Sequence, residues 1–383
     1  MRARRLRRHG LSDPLSGGLA DAAAAMCGAH AQVMSAAELS LGIRLPDTTR
    51  VGVRDALWTE RSLVRTFGPR GTVHLLPTRD LELWTGALSA MPAPGSPMPV
   101  QARMTADQTD AVVRAIDHAL SDAELTVDEL TEAVVEATGP WAGDLVMPAF
   151  QGMWPRWRQV ISTAANRGAL VFGHHRGRQV TYTSPRRWLP GFSPMAGPQA
   201  TAELTRRYLR AYGPARPEDF ARWLNASRTW AQAMFDALGD EVEEVHIEHD
   251  DVDLSHTAWQ LAADAADEPA EPAGPHGVRL LPYFDAYSVG CHPRRLVFPG
   301  KAADRALARG QAGNYPVLLV EGTAAGVWHL RRQGRRLAVT VEPLGRLTRA
   351  HRSALQQQVE RLGVILEGSP TLTVGAVTVG PHA

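Results

Sequence analysis

An α+β fold is expected: three stretches of helix each run into a β-hairpin, and the C-terminal region beyond them is strand-rich. That order predicts three tandem winged-helix units followed by a C-terminal β-barrel-like domain. The expected divisions are 1–98, 99–197, 198–272 (ending in an acidic linker) and 273–383. A chain of 383 residues is longer than one core usually organises, and no apolar run approaches the roughly 20 residues a membrane span needs. "MRARRLRRHG" reads as a basic tail followed by no apolar segment, so no anchor or secretory signal is expected, and the cytoplasm is the expected compartment.

In the first unit an alanine-rich helix over 19–26 gives way at Gly28, and a second helix runs over about 33–41. A short helix in "VGVRDALWTE" then leads to "LVRTFGPRGTVHLLP", two β-prone runs around a Gly-Pro-Arg-Gly turn. The second unit has a helix over 105–118, a capped helix in "TVDELTEAVVEA", a third within "PAFQGMWPRWRQVISTAANRG", and a wing in "ALVFGHHRGRQVTYTS". The third runs through "ATAELTRRYLRAYG", "PEDFARWLN" and "SRTWAQAMFDALG" to the strands "VEEVHIE" and "LSHTAWQL". "ADAADEPAEPAGP" reads as a linker, and the remainder as strands, with one helix over about 349–362.

Charge is nearly balanced overall but unevenly placed: 21 basic against 18 acidic residues over 1–200, 9 against 17 over 201–300, and 11 against 5 over 301–383. Residues 145–202 hold seven arginines and no acid, whereas 229–278 hold thirteen acids and no Arg or Lys. Such an asymmetry suits a polyanionic partner, though charge runs are also ordinary solvated surface. In a winged helix the third helix enters a groove of duplex DNA and the wing lies on the backbone. The candidate contacts are therefore Arg156, Arg158 and Arg167 on the helix and Arg176, Arg178, Arg186 and Arg187 on the wing. A second basic hairpin, "HLRRQGRRLAV", adds Arg331, Arg332, Arg335 and Arg336 around Gly334.

Two cysteines make no disulfide framework and no zinc spacing, so neither metal nor cofactor is expected. Cys27 and His30, at i and i+3, could form a thiol–imidazole pair, but Cys27 fits better as a small buried residue. Lys301 is the only lysine, which leaves little scope for Schiff-base chemistry. The stretch "CGAHAQ" sets His30 and Gln32 two residues apart. On a helix they would diverge by about 200°; only an extended break from Gly28 to Gln32 would point both the same way, about 7 Å apart. His74 and the tryptophans, Trp154, Trp157 and Trp223 among them, read mainly as core. Asp285 in "YFDAY" reads as a structural hydrogen-bonding residue.

Four segments in order, "RGTVHLLPTRDLELW", "YLRAYGPARPEDFARWL", "LLPYFDAYSVG" and "GTAAGVWHLRR", resemble the winged-helix DNA glycosylases typified by AlkZ and YcaQ over nearly the whole chain. The resemblance implies a C-shaped, monomeric clamp on double-stranded DNA that removes N-alkylated purines, including bulky natural-product adducts and crosslinks at guanine N7. It also implies a catalytic Gln-aliphatic-Gln or Gln-aliphatic-Asp motif. By position this motif falls on His30, Ala31 and Gln32, so the second glutamine matches and a histidine replaces the first. Arg70 and His74 fall where they could line such a site.

An N7-alkylated purine is already cationic, so its glycosidic bond breaks through an oxocarbenium-like state with little need for acid catalysis. What remains is to place a water and tolerate positive charge on the sugar. Gln32 can orient that water, and a neutral His30 can accept its proton. The alternative reading is a non-enzymatic winged-helix DNA-binding protein or transcriptional regulator.

Overall fold

The computed structural model describes residues 1–383 apart from 93–94, 96–97, 150–151, 250–253, 268–276 and 382–383. It begins with a helix where a tail was expected. α1 (Arg2–Arg8) is held by its own arginines: Arg4 donates to Gln260 Oε1 at 2.6 Å, and Arg5 to the carbonyls of Pro214 and His292, both at 2.7 Å. Arg8 pairs with Asp264 at 2.9 Å. Arginine stems pack well on apolar surface and their planar heads satisfy several carbonyls at once, so a basic sequence can be an internal strap.

α2 (Leu19–Ala25), β1 (Ala29–His30), α3 (Met34–Gly42), α4 (Arg50–Trp58), β2 (Leu63–Phe67) and β3 (Val73–Pro77) follow, with a three-stranded sheet in the order β1-β3-β2. The expected hairpin is there, turning through Pro69–Gly71. α5 (Leu81–Ala90) closes this segment.

The next contains α6 (Ala106–Leu120), β4 (Glu124–Thr126) and α7 (Val127–Thr138), the two helices opened by the capping boxes Thr105/Gln108 and Thr126/Glu129. β5 (Leu145–Pro148), β6 (Met153–Pro155), α8 (Ile161–Asn166), β7 (Val171–Phe172) and β8 (Thr181–Thr183) complete it. The helix expected within "PAFQGMWPRWRQVISTAANRG" is present as α8, preceded by the β5–β6 hairpin and by a 3₁₀ turn over Arg156–Val160 that carries Arg156 and Arg158. Pro148 and Pro155 interrupt helical bonding and Gly152 adopts a positive φ, which favours a turn. Trp157 is core as expected, but Trp154 is 38 % exposed and lies under the Arg158 guanidinium.

α9 (Gly197–Tyr212), α10 (Pro217–Leu224) and α11 (Arg228–Asp236) lead to the antiparallel pair β9 (Val242–His249) and β10 (Leu254–Leu261). The start of the expected linker is folded. A 3₁₀ turn over Ala262–Asp267 buries Asp264 against Arg8 and Arg210, while 268–275 lie outside the described residues.

The C-terminal region comprises β11 (Val278–Leu281), α12 (Ala286–Gly290), α13 (Arg294–Val297), α14 (Lys301–Ala306), β12 (Val317–Val320), β13 (Thr323–Gln333), β14 (Arg336–Pro343), α15 (Arg349–Leu366) and β15 (Ser369–Val374). Its five strands form one sheet in the order β11-β12-β13-β14-β15. The outer strands do not pair with each other, so this is a curled half-barrel rather than a closed barrel. α15 covers it, packing Leu355, Val359 and Leu362 on Trp328, Val339 and Val341.

Hydrophobic packing crosses the expected divisions. One core joins Leu6, Val64, Trp84, Tyr208, Trp223 and Leu319, and α5 lies against α9 closely enough that a Cβ on Gly86 would meet Ala200 Cβ at 3.0 Å. Among the described residues no helix is long and apolar enough to cross a membrane.

Candidate active site

The helix over 19–26 stops because two consecutive residues turn left-handed, Cys27 at φ 55° and Gly28 at φ 99°. Gly28 is also the point of closest approach: a Cβ there would meet Leu76 Cδ2 at 2.7 Å. The chain then extends as β1, pairing His30 with His74, and the Ala31 N–H donates to the Val73 carbonyl at 2.7 Å before α3 begins. Gly28 to Gln32 is therefore the extended break that shared use of His30 and Gln32 requires.

The two side chains end in different surroundings. His30 is 8 % exposed, stacked on Phe284 at 4.5 Å between centroids and edge-on to His74 at 5.2 Å. Its Nδ1 is buried with no hydrogen-bond partner, which leaves Nε2 as the nitrogen open to a ligand. Burial, and secondarily Arg70, lower its pKa to about 4, so the ring is neutral at pH 7. His74 Nδ1 lies 2.8 Å from the Thr72 carbonyl, an acceptor, so that nitrogen carries the proton. Burial, then His30 and Arg70, keep His74 neutral as well. Gln32 is exposed, and its Oε1 accepts from the Val73 N–H at 3.5 Å.

His30 lines a cavity of about 660 Å³ between the β2–β3 turn, α10, the segment after β11 and the loop over 310–314. Gln32 is not among its lining residues; it lies outside, against the edge of β3. Arg70 lines the cavity from a left-handed position in the turn (φ 62°) and donates to the Trp223 carbonyl at 2.8 Å. Phe284 is positioned by its neighbour: Asp285, buried as a structural residue, takes a bidentate pair from Arg44 at 2.7 and 2.8 Å, a bond from Ser40 at 2.7 Å and one from the Tyr287 N–H. Cys27 is no nucleophile, since burial raises its thiol to about 12 and its Sγ faces the Arg207 carbonyl. Lys301 is exposed at the start of α14 and does not line the cavity. No group of three or more metal-ligating side chains occurs among the described residues.

A family model described as AlkZ-like DNA glycosylase matches residues 23–364. The chain belongs to this family of DNA glycosylases. It is 31 % identical over 348 residues to an interstrand DNA cross-link repair glycosylase of Streptomyces sahachiroi, covering 88 % of this chain and 89 % of that protein. The solved structure of the Streptomyces sahachiroi DNA glycosylase AlkZ superposes with a TM-score of 0.79 at 25 % identity, covering 98 % of each chain.

In this AlkZ-like glycosylase the arginine-rich run is acid-free in sequence but not in space. Arg156 pairs with Asp144 at 3.1 Å, Arg167 with Asp110 at 2.6 Å, Arg176 with Glu129 at 2.7 Å and Arg186 with Asp117 at 3.3 Å, all of these acids coming from the preceding residues 106–144. Arg156 is moreover tied to the carbonyls of Gln101 and Ala102, a structural use of a residue expected to contact DNA. Arg158 stacks on Trp154 at 4.0 Å, and Arg178 is exposed on the wing. On the β13–β14 hairpin Arg331, Arg332 and Arg335 are all exposed, Arg332 donating to the Gly334 and Leu366 carbonyls.

Sequence reasoning missed Arg65. It donates to the Ala31 carbonyl at 3.3 Å, between the two motif residues, lies over Phe172 at 4.5 Å and approaches His175 of the wing at 3.2 Å. Its signal was present: a lone charge inside the apolar strand "LVRTF". Arg222, His292 and Arg294, which also line the cavity, had no such signal.

Proposed function

We propose that this protein is a monofunctional glycosylase that hydrolyses the N-glycosidic bond of purines alkylated at N7 of guanine, including bulky natural-product adducts and interstrand crosslinks. It acts as a monomer in the cytoplasm and confers self-resistance to a DNA-alkylating agent. The observation that carries this reading is the neutral His30, set in an extended break above a wide cavity at the family's motif position. A neutral imidazole accepts a proton from water without adding positive charge beside an oxocarbenium-like sugar. Gln32, its Oε1 turned to the Val73 N–H, offers its amide N–H groups to the same water from outside. The crosslink component is supported by the relative's description. Hydrolysis leaves an abasic site, because no amine lines the cavity to open the sugar.

We further read the three helix-to-hairpin segments as winged-helix units, divided near 98 and 197, that wrap duplex DNA together with the C-terminal half-barrel. Arg158, Arg178, Arg331 and Arg335 are the backbone contacts this arrangement favours. DNA treated with dimethyl sulfate or a nitrogen mustard provides the test. The wild type should release N7-alkylguanine, and His30→Ala and Gln32→Ala should each lose about 10²-fold or more in single-turnover rate. Borohydride trapping of an enzyme–DNA adduct would contradict the monofunctional mechanism.

A further inference from the structure

The cavity beside His30 is lined by four arginines, Arg70, Arg216, Arg222 and Arg294, and by no carboxylate. Two of them are neutralised from behind. Asp219, 1 % exposed, accepts from Arg216 and Arg222 at 3.0 Å each, and Glu218 lies 3.1 Å from Arg216. Arg70 and Arg294 have no carboxylate partner among the described residues. Arg70 donates to the Trp223 carbonyl, and Arg294 to the carbonyls of Ser288, Val289 and Cys291. Carbonyl dipoles satisfy N–H groups, but they do not cancel a unit charge.

Burial lowers the pKa of both guanidinium groups, that of Arg294 to about 10, yet at neutral pH each remains a cation. The other titratable groups on the wall add nothing of the opposite sign, since His30 and His292 are both held neutral by burial. A buried charge is costly without a counter-charge, and proteins normally supply one. Here the chain places two cations without a paired carboxylate on one open cavity, Arg294 feeling Asp219 only at a distance, so the remaining counter-charge comes from the ligand.

We infer that this cavity is a phosphodiester subsite. The DNA backbone phosphate flanking the nucleotide under attack enters between Arg70 and Arg294, with Arg222 on the wall beside it. The cationic purine does not enter, because the same two guanidinium groups repel it; the adduct stays outside. A phosphodiester seated there brings one negative charge between the two guanidinium groups, which lowers the positive potential beside His30 and helps the site tolerate the positive charge that develops on the sugar. This inference rests on the glycosylase reading only for the identity of the polyanion.

Two measurements test it. The first is calorimetric titration with thymidine 3′,5′-bisphosphate at low salt, for the wild type, Arg70→Gln and Arg70→Lys. Arg70→Gln should weaken binding about tenfold, and Arg70→Lys should restore much of it. The second uses duplexes with a tetrahydrofuran abasic analogue in which the phosphate on one or the other side is replaced by an uncharged methylphosphonate. At one of the two positions the replacement should cost the wild type about tenfold in affinity and cost Arg70→Gln nothing further. Equal bisphosphate binding by wild type and Arg70→Gln, or a methylphosphonate effect that is the same in both, overturns the subsite. Charge sensitivity without release of N7-alkylguanine would leave the subsite standing and remove the substrate reading; release without charge sensitivity would do the reverse.

Discussion

At the scale of single residues, the histidine in "GAHAQ" is defined by what surrounds it. His30 is packed between Phe284 and His74 with one nitrogen unpartnered, and its pKa falls to about 4 from an ordinary 6.5. Its neutral form is favoured in the folded state, so its contribution to stability is complete above pH 6.5 and is lost as pH falls towards 4. Activity that requires the neutral ring should rise through an apparent pKa near 4 and be level at pH 6–8. The same profile for His30→Gln should lack this rise over the pH range where circular dichroism shows both proteins folded; superimposable profiles would remove His30 from the chemistry. That the ring sits at a helix break could be framed from the spacing of His30 and Gln32. Its burial could not, because Phe284 arrives from more than 250 residues away.

At the scale of elements, local signals were readable where local chemistry dominates. The β2–β3 hairpin follows from its β-prone runs and its Pro-Arg-Gly turn, and α6 and α7 from their capping boxes. The helix within 148–168 is shorter than expected, because Pro148 and Pro155 bracket the β5–β6 hairpin and leave Arg156 and Arg158 ahead of α8. The ion pair joining the segment just after α3 to the N-cap of α12 was equally hidden. Arg44 and Asp285, both fully buried, lie 241 residues apart in sequence. Asp285→Asn leaves the Arg44 cation uncompensated in the core and should cost about 3–5 kcal/mol in chemical denaturation. Because the next residue towards the cavity is Phe284, the variant should also lose activity; a cost below about 1 kcal/mol would show that the pair does not hold this junction.

Across the whole molecule, charge patterning gave the correct kind of partner for a DNA glycosylase but not the contacts. Sequence distance hid that four arginines of the 145–202 run are matched by acids upstream. The exposed arginines of the β13–β14 hairpin are better placed to meet phosphate. Arg331→Ala and Arg335→Ala should each reduce the slope of log K against log salt by about 0.9, independent of DNA sequence. An unchanged slope would take the hairpin off the DNA.

The arginines of α1 also bear on the order in which the molecule is assembled. Arg5 waits for the carbonyls of Pro214 and His292, and Arg4 for Gln260, so α1 is not fully fastened until residues more than 200 positions further along the chain are in place. His292 lines the cavity that Arg5 braces from behind. The α1 strap is thus fastened late, and the wall of the cavity gains its bracing only when distant parts of the chain have come together.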